Sequence, residues 1–367
     1  MRKRVALGLA FSLAFGLALG ASGTAQAADD WVIGLSYGGT GPYVTSSRTT
    51  ETAVDIAARN INAAGGIDGK KIRIVKFDTA GDPKQAALAV GRFAGDDHAL
   101  AIIGPYSTAE VRVAFPVGER DQIVQISNSS TLPGIKGFRY GFRLTTDDGQ
   151  AFNALVKTMR EKKLPIETAA VMYVSDDAGM KMAGTVVYPK MLAAANVKLA
   201  VPPVGFANSA FDLAPQVAKI IPAHPDVVMV AGVVEPALKA LTELRRQGYK
   251  GRLVGSLFFA DPNLARKMGP AGNGTIYVTW FYSGSSPKAE KFTAEFNAEN
   301  AKRGIDKAGP HHVDASAYDA VYMIAQAIHD TKLAQSKDTL QQQRDAIRSD
   351  LARMTYTGFS GTTHFAA

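Results

Sequence analysis

The chain has 367 residues, carries 41 Lys and Arg against 33 Asp and Glu, and contains no Cys. The lack of Cys excludes disulfides, thiol chemistry and a lipid anchor on a cysteine. The cations are dispersed, without a long basic run or interleaved aromatic residues, so we expect no nucleic-acid partner.

Residues 1–27 have the pattern of a secretory signal peptide. Three cations at positions 2–4 precede an apolar run over 5–19, and Ala25-Gln26-Ala27 has the small-x-small pattern of a cleavage site. The alternative, a membrane anchor, is weaker because the apolar run is short for a bilayer span. We therefore expect cleavage after Ala27 and a periplasmic location. About 340 residues remain, which is enough for two domains.

Strands and helices alternate along the mature chain. The periodicities predict strands at 31–36, 71–78, 100–103, 123–126, 142–144, 168–174, 197–204, 227–231, 252–256 and 276–282. They predict helices at 49–63, from 82, at 107–120, after 148 to about 162, and at 183–195, 211–221, 236–247, 292–302, 315–327 and 340–354, followed by an extended stretch at 356–365. Strands separated by helices imply parallel sheets, and the restart of this rhythm near 168 indicates two α/β domains of similar build.

Two hydroxyl clusters flank the predicted strand-helix-strand unit at 100–126. Ser107-Thr108 opens its helix, and 127–131 (Ser-Asn-Ser-Ser-Thr) follows its second strand. Parallel strands place both clusters at the same sheet edge, where open α/β sheets hold ligands. Hydroxyls beside the free N–H groups of a helix N-terminus suit a small anion such as a carboxylate. The alternative is that Ser107 is only an N-cap and 127–131 only a loop.

Several spaced motifs resemble the leucine/isoleucine/valine-type periplasmic binding proteins, the substrate-binding components of ABC importers. They are the run 65–72 (GGIDGKKI), Asp78, 82–86 (DPKQA), 103–105 (IGP) with Ser107, 127–133 (SNSSTLP), 318–320 (YDA) and 358–361 (GFSG). The resemblance implies a type I periplasmic binding protein fold: two Rossmann-like α/β lobes joined by three crossover strands, with the ligand in the cleft. We expect residues 28–144 and 278–355 in lobe 1 and residues 145–277 and 356–367 in lobe 2. It also implies a monomer, a membrane permease as partner, and no cofactor.

The resemblance assigns ligand-binding roles to particular residues. Ser107, Ser129 and Thr131 are expected to hold the carboxylate of a small-molecule ligand, with Thr108 and Ser130 as supporting donors. Tyr43 belongs to a loop that lines the cleft, and Tyr106 could stack on a flat ligand, although ordinary packing is an equal alternative for both tyrosines.

The second lobe departs from the amino-acid binders. Alignment places Ala178 and Val233 where they have aromatic residues, and Leu257 where they have the acid that pairs with the α-ammonium. Burying an ammonium without a carboxylate partner is costly. We therefore expect a carboxylate ligand without an amine, such as an aromatic acid or a branched oxo acid. If the alignment slips by one or two residues, an acid at position 176, 177 or 235 replaces the missing partner and an amino acid remains the alternative.

Functions of other classes have less support. The G-x-S-x-G pattern at 34–38 does not lead directly into a helix, since the next predicted helix begins at 49, and neither a phosphate-binding loop nor a dinucleotide fingerprint is present; we therefore expect no enzyme activity. His311-His312 is interpreted as a solvated loop and not as a metal site. A ligand sensor of the same fold would need a DNA-binding unit or a membrane span, and the mature sequence indicates neither.

Overall fold

A computed structural model of the chain describes residues 30–128, 137–145, 148–255 and 257–365. The strands are β1 (Trp31–Tyr37), β2 (Ile72–Asp78), β3 (Ala101–Ile103), β4 (Val124–Ser127), β5 (Gly141–Arg143), β6 (Thr168–Val174), β7 (Lys198–Leu199), β8 (Val204–Phe206), β9 (Val227–Ala231), β10 (Arg252–Gly255), β11 (Thr355–Gly358) and β12 (Gly361–His364). The helices are α1 (Val44–Ser47), α2 (Thr50–Ala63), α3 (Pro83–Gly95), α4 (Thr108–Arg120), α5 (Asp148–Glu161), α6 (Ala178–Met182), α7 (Tyr188–Ala194), α8 (Ala214–Val217), α9 (Val234–Arg246), α10 (Pro262–Met268), α11 (Pro287–Lys302), α12 (His312–Asp330) and α13 (Leu340–Leu351).

The first lobe is built on a parallel sheet with the order β2-β1-β3-β4-β5. Ile33 of β1 lies opposite Ile74 of β2 and Ala101 of β3. Apolar residues of α2, α11, α12 and α13 cover one face of this sheet, and those of α3 and α4 cover the other. Covering both faces explains why β3 is a continuous buried apolar run instead of an alternating one.

The second lobe repeats this architecture. Its parallel sheet has the order β10-β9-β6-β7, with β8 also paired to β6. Successive residues of β9 point to opposite faces: Val228 and Val230 pack in a cluster with α9 and α10, whereas Val227 and Met229 pack in a cluster with α5 and α7. The α/β fold with two parallel-sheet lobes, expected from the sequence, is confirmed.

Three predicted elements of the second lobe and its border differ from the structure. The strand expected at 197–204 is divided into β7 and β8, because Pro202 and Pro203 between them lack the N–H groups that a sheet ladder needs. The helix expected at 211–221 is reduced to α8 and a 3₁₀ turn at Ile221–Ala223, since Asp212 accepts the N–H of Ala214 and delays the start. The stretch 276–282 forms only an isolated bridge, between Ile276 and Val254.

The antiparallel hairpin of β11 and β12 packs on the first lobe. Its aromatic residues Tyr356, Phe359 and Phe365 contact the apolar cluster of the first sheet. The Asp319 carboxylate of α12 accepts the N–H groups of Phe359 and Ser360 at 3.0 and 2.9 Å. The predicted assignment of 356–367 to lobe 2 is therefore wrong for the described part of this stretch, because the half-buried Phe359 packs against Phe292 of α11 and Tyr318 of α12, and Phe365 packs against β5.

Membrane-spanning helices were sought among the described residues. None of these helices is both long and apolar enough to cross a bilayer.

Candidate functional site

The carboxyl edges of the two sheets face each other across a cleft. Tyr43 follows β1 and Ser107 follows β3 in the first lobe; Asp177 follows β6 and Glu235 follows β9 in the second. The Tyr43 hydroxyl donates to Asp177 Oδ2 at 2.8 Å, and the Thr45 hydroxyl donates to Glu235 Oε1 at 2.9 Å. Both hydrogen bonds join one lobe to the other, so the lobes touch along these edges.

Ser107 is held rigidly at the start of α4. Its hydroxyl accepts the N–H of Glu110 at 3.3 Å, while Glu110 Oε2 accepts the N–H of Ser107 at 2.8 Å, which completes a capping box. The other oxygen of this buried carboxylate accepts the Thr79 hydroxyl. Ser107 is thus an N-cap, as the alternative interpretation held, and its hydroxyl has one proton to donate.

The loop after β1 positions Tyr43. The Asp78 carboxylate accepts the N–H groups of Gly39 and Ala80 at 2.9 Å and the Thr40 hydroxyl at 2.8 Å. Burial alone would raise the pKa of Asp78, but these hydrogen bonds outweigh it and lower the pKa. Gly81 is required beside this loop, since a Cβ there would lie 2.7 Å from Cδ2 of the Tyr43 ring at a φ of +73°.

Tyr43 lies between the proposed anion anchor and an acid of the second lobe. Burial, followed by the charge and hydrogen bond of Asp177, raises the pKa of Tyr43, while a hydrogen bond with Ser107 opposes that rise. The phenol therefore stays neutral at physiological pH and keeps its proton to donate. Tyr106 packs beside it with ring centroids 5.4 Å apart, and because Tyr106 is buried, Tyr43 presents the more accessible ring.

The remaining first-lobe predictions divide into two groups. Thr108 is the first residue of α4, directly after Ser107. Ser129, Ser130 and Thr131 lie outside the described residues, so their predicted contacts remain predictions. Asn128, just before them, is buried, and its side-chain amide donates to the Val313 carbonyl at 3.1 Å, which ties the end of β4 to the start of α12.

The three predicted second-lobe residues occupy one sheet edge. Ala178 is exposed and begins α6, Val233 is the N-cap of α9, and Leu257 begins a 3₁₀ turn after β10. Leu257 is buried and lines a small space with Phe152, Tyr188 and other apolar side chains of its own lobe. Its side chain thus packs within the second lobe, and its alignment with the acid of the amino-acid binders remains a prediction.

Three acids of the second lobe could replace the missing ammonium partner, and they differ in the contacts that each already makes. Asp176 is exposed and accepts the Asn208 N–H at 2.8 Å, within its own lobe. Glu235 bonds Thr45 and lies 3.6 Å from the Lys267 ammonium. Asp177 caps α6 through Met180 with one oxygen and meets Tyr43 with the other. Of the three, Asp177 is the acid whose contacts reach Tyr43 and, through it, Ser107.

The prediction of a solvated loop at His311-His312 is wrong. Both side chains are buried at the N-terminus of α12, where His311 and Asp314 form a capping box and His312 packs edge-on against Trp280. The H-x-x-D spacing of residues 311–314 was the available signal for this cap. Burial, followed by the nearby His311 and Lys307, lowers the pKa of His312 well below its usual value, so this ring is neutral.

This chain is similar to known binding proteins over most of its length. Residues 30–367 match the model of the family described as periplasmic binding protein. An amino acid binding protein of Pseudomonas aeruginosa is 30% identical over 234 residues, covering 61% of this chain and 60% of that protein. The Leu/Ile/Val-binding protein homolog 1 of Brucella melitensis is 26% identical, covering 92% of this chain and 86% of that protein.

Solved structures share the fold at low sequence identity. The branched-chain amino acid transporter substrate binding protein of Streptococcus pneumoniae, in complex with isoleucine, has a TM-score of 0.78 at 22% identity and covers 92% of both chains. A leucine binding protein of Thermotoga maritima has a TM-score of 0.75 at 20% identity and covers 91% of this chain and 90% of that chain. These similarities establish a common two-lobed fold.

Proposed function

The chain belongs to the periplasmic binding protein family, and we propose that it is the substrate-binding component of an ABC importer that shuts its two lobes on a small amino acid. In this proposal Ser107 holds the ligand's carboxylate and Asp177 holds its ammonium. The protein is exported through the leader at residues 1–27, works as a monomer without catalysis, and delivers its ligand to a membrane permease.

The position of Tyr43 carries this proposal. Its hydroxyl is 2.8 Å from the Asp177 carboxylate and in hydrogen-bonding contact with Ser107. A hydroxyl anchor and a carboxylate therefore flank a single phenolic oxygen, a spacing that suits the carboxylate and ammonium on one α-carbon. A ligand carboxylate without an ammonium would be repelled by Asp177 at this short range.

A small number of contacts with the ligand is enough to give micromolar affinity. Hydrogen bonds to charged groups contribute about 1.5–3 kcal/mol each, and burial of an apolar side chain adds a similar amount. After the cost of ordering the ligand and the lobes, a total near −8 kcal/mol corresponds to a dissociation constant of about 1 μM. Three of the four binding proteins named above carry leucine, isoleucine or valine in their names or as bound ligand, which supports an aliphatic ligand here.

A second candidate ligand is a carboxylate without an amine, such as an aromatic acid or a branched oxo acid. The observation in its favour is Leu257, a buried apolar residue at the position where the family resemblance puts the ammonium partner. Val233, also apolar, is on the same edge. In this case Asp177 would serve only to cap α6 and bind Tyr43.

A thermal-shift screen of the leaderless protein distinguishes the two candidates. The panel contains leucine, valine, a branched 2-oxo acid, benzoate, 4-hydroxybenzoate and a phenylpropanoid acid, with calorimetry on every hit. A micromolar ligand at millimolar concentration stabilises the fold by about 4 kcal/mol, which gives a clear shift. Stabilisation by leucine or valine supports the amino-acid proposal. Stabilisation by the amine-free acids alone contradicts it.

A further inference from the structure

A buried ion pair crosses between the lobes away from Ser107. The Lys307 Nζ atom lies 2.7 Å from Asp261 Oδ2, and the two side chains are 2% and 0% exposed. Lys307 belongs to the segment between α11 and α12 of the first lobe, whereas Asp261 is the N-cap of α10 in the second. Lys307 also donates to the Thr45 carbonyl at 3.2 Å, next to the Tyr43 loop.

The chain around Lys307 is docked on the start of α10 by further interlobe bonds. Asn263 accepts the Ala308 N–H at 3.0 Å and donates to the Asp306 carbonyl at 3.2 Å. At the surface, Arg266 and Asp306 form a bidentate ion pair, with Nη1 donating to Oδ1 at 2.8 Å and Nη2 donating to Oδ2 at 2.7 Å. These bonds fix the position of residues 306–308 on the second lobe.

The two ion pairs between residues 306–308 and the start of α10 differ in burial. They therefore differ in how much free energy is lost when one partner is removed. Arg266 and Asp306 are 46% and 81% exposed, so water screens their attraction and replaces either partner readily. Lys307 and Asp261 lose their water when the lobes meet, and removal of one partner would leave the other charge buried alone. When the lobes separate, each of the two charges can regain its hydration. The buried pair thus responds to the relative position of the lobes.

We propose that Lys307 and Asp261 are positioning residues that hold the lobes shut without touching the ligand, and that they thereby set how long the ligand stays bound. The pair acts on the shut state before any ligand contact is made. Its effect on ligand release rests on the proposed binding function, but its effect on the lobes does not.

The absence of cysteine makes the lobe distance directly measurable. Cysteines introduced at Leu88 on α3 and at Lys219 in the second lobe, both exposed, accept spin labels without competing thiols. Pulsed electron paramagnetic resonance of the ligand-free protein then gives the distance distribution between the lobes. We expect a population at the distance of the shut arrangement. A distribution with only longer distances would overturn the proposal.

Three variants of the buried pair and one of the exposed pair test whether that population depends on the buried pair. Lys307→Met should lower the ratio of shut to open molecules at least tenfold, and Asp261→Asn should act in the same direction while keeping the cap on Asn263. Combining both removes the stranded charge and should return the ratio only part of the way to that of the parent, because the attraction of the pair is still missing. Arg266→Met, which breaks the exposed pair, should change it less than threefold. Equal ratios in the parent and in all four variants would overturn the proposal.

Ligand dissociation rates distinguish a role of the pair in lobe closure from a role in folding alone. With a ligand identified by the screen above, Lys307→Met should raise the dissociation rate at least tenfold, with little change in the association rate and in the Tm of the ligand-free protein. A lower Tm with an unchanged dissociation rate would show a folding role instead and contradict the proposal. If no compound of the panel binds, the proposed function fails, while the distance measurements still decide the role of the pair.

Discussion

The Tyr43 hydroxyl donates a 2.8 Å hydrogen bond to the carboxylate of Asp177, 134 positions later in the chain, and so joins the first lobe to the second. The same hydroxyl contacts Ser107, the N-cap of α4. The candidate ligand site is organised around this phenol, because it connects a hydroxyl anchor on one lobe with an acid on the other.

Replacing Asp177 by Asn tests the acid of the second lobe. Asn retains an oxygen for capping α6 but loses the charge that attracts an ammonium, so we expect affinity for leucine or valine to fall by about 1.5–3 kcal/mol. Isothermal titration calorimetry measures this change. The matched control is Asp176→Asn, an exposed neighbour that should leave affinity within twofold. Equal effects of the two variants would remove Asp177 from the site.

Replacing Ser107 by Ala tests the carboxylate anchor. Loss of the hydroxyl should weaken ligand binding by about 1–3 kcal/mol and, because the cap is lost, lower the stability of the fold by about 1 kcal/mol. Asp82→Ala separates the two effects, since Asp82 caps α3 through the N–H groups of Lys84 and Gln85. It should lower the Tm alone. An anchor role is ruled out if Ser107→Ala changes only the Tm.

The buried His312 ring predicts a pH dependence of stability. Burial lowers the pKa of His312 in the folded state, so the unfolded chain binds a proton below pH 6.5 that the folded chain does not. The free energy of unfolding should therefore fall by about 1.4 kcal/mol per pH unit from this residue as pH drops below 6.5. Denaturant unfolding at pH 7.5, 6.5 and 5.5 measures the slope.

The control variants for this slope are His312→Gln and His98→Gln. The first should flatten the slope, because Gln does not titrate. The second changes an exposed residue and should keep the slope of the parent. Identical slopes in all three proteins would contradict the assignment to His312.

Asp319 is expected to fasten the β11–β12 hairpin to the first lobe. Its carboxylate accepts two backbone N–H groups of the hairpin turn, and Asp319→Ala should therefore leave both groups unsatisfied. We expect a loss of about 1–3 kcal/mol in local stability, seen as faster amide hydrogen exchange over residues 355–364. Unchanged exchange there would show that the aromatic contacts of Phe359 suffice.

Local sequence patterns predicted the elements that do not depend on distant partners. The apolar runs give β6 and β9 their bounds, because each is a short buried strand that follows an acidic residue and ends before Ser175 or Gly232. The Ser107 cap likewise follows from its place before an amphipathic helix. The adjacent prolines at 202–203 and the H-x-x-D spacing at 311–314 do signal a divided strand and a helix cap, but the burial of the two histidines depends on how neighbouring elements pack and is not visible in the sequence.

The interlobe contacts could not be predicted in this way. Tyr43 with Asp177, and Lys307 with Asp261, are brought together only when two separately folded sheets align their edges. No short-range pattern specifies which surface charge becomes buried in that event. Which acid would face a ligand ammonium therefore stays open in the sequence among positions 176, 177 and 235, and these acids differ in the contacts that each makes in the structure.

Calorimetric titration of the leaderless protein with leucine and with 4-methyl-2-oxopentanoate tests the central claim most directly. The two ligands share the carboxylate and the branched side chain, and they differ at the carbon that carries the ammonium. The account predicts micromolar binding of leucine and at least tenfold weaker binding of the oxo acid, a difference of about 1.4 kcal/mol or more. Equal or tighter binding of the oxo acid would contradict the pairing of Asp177 with an ammonium.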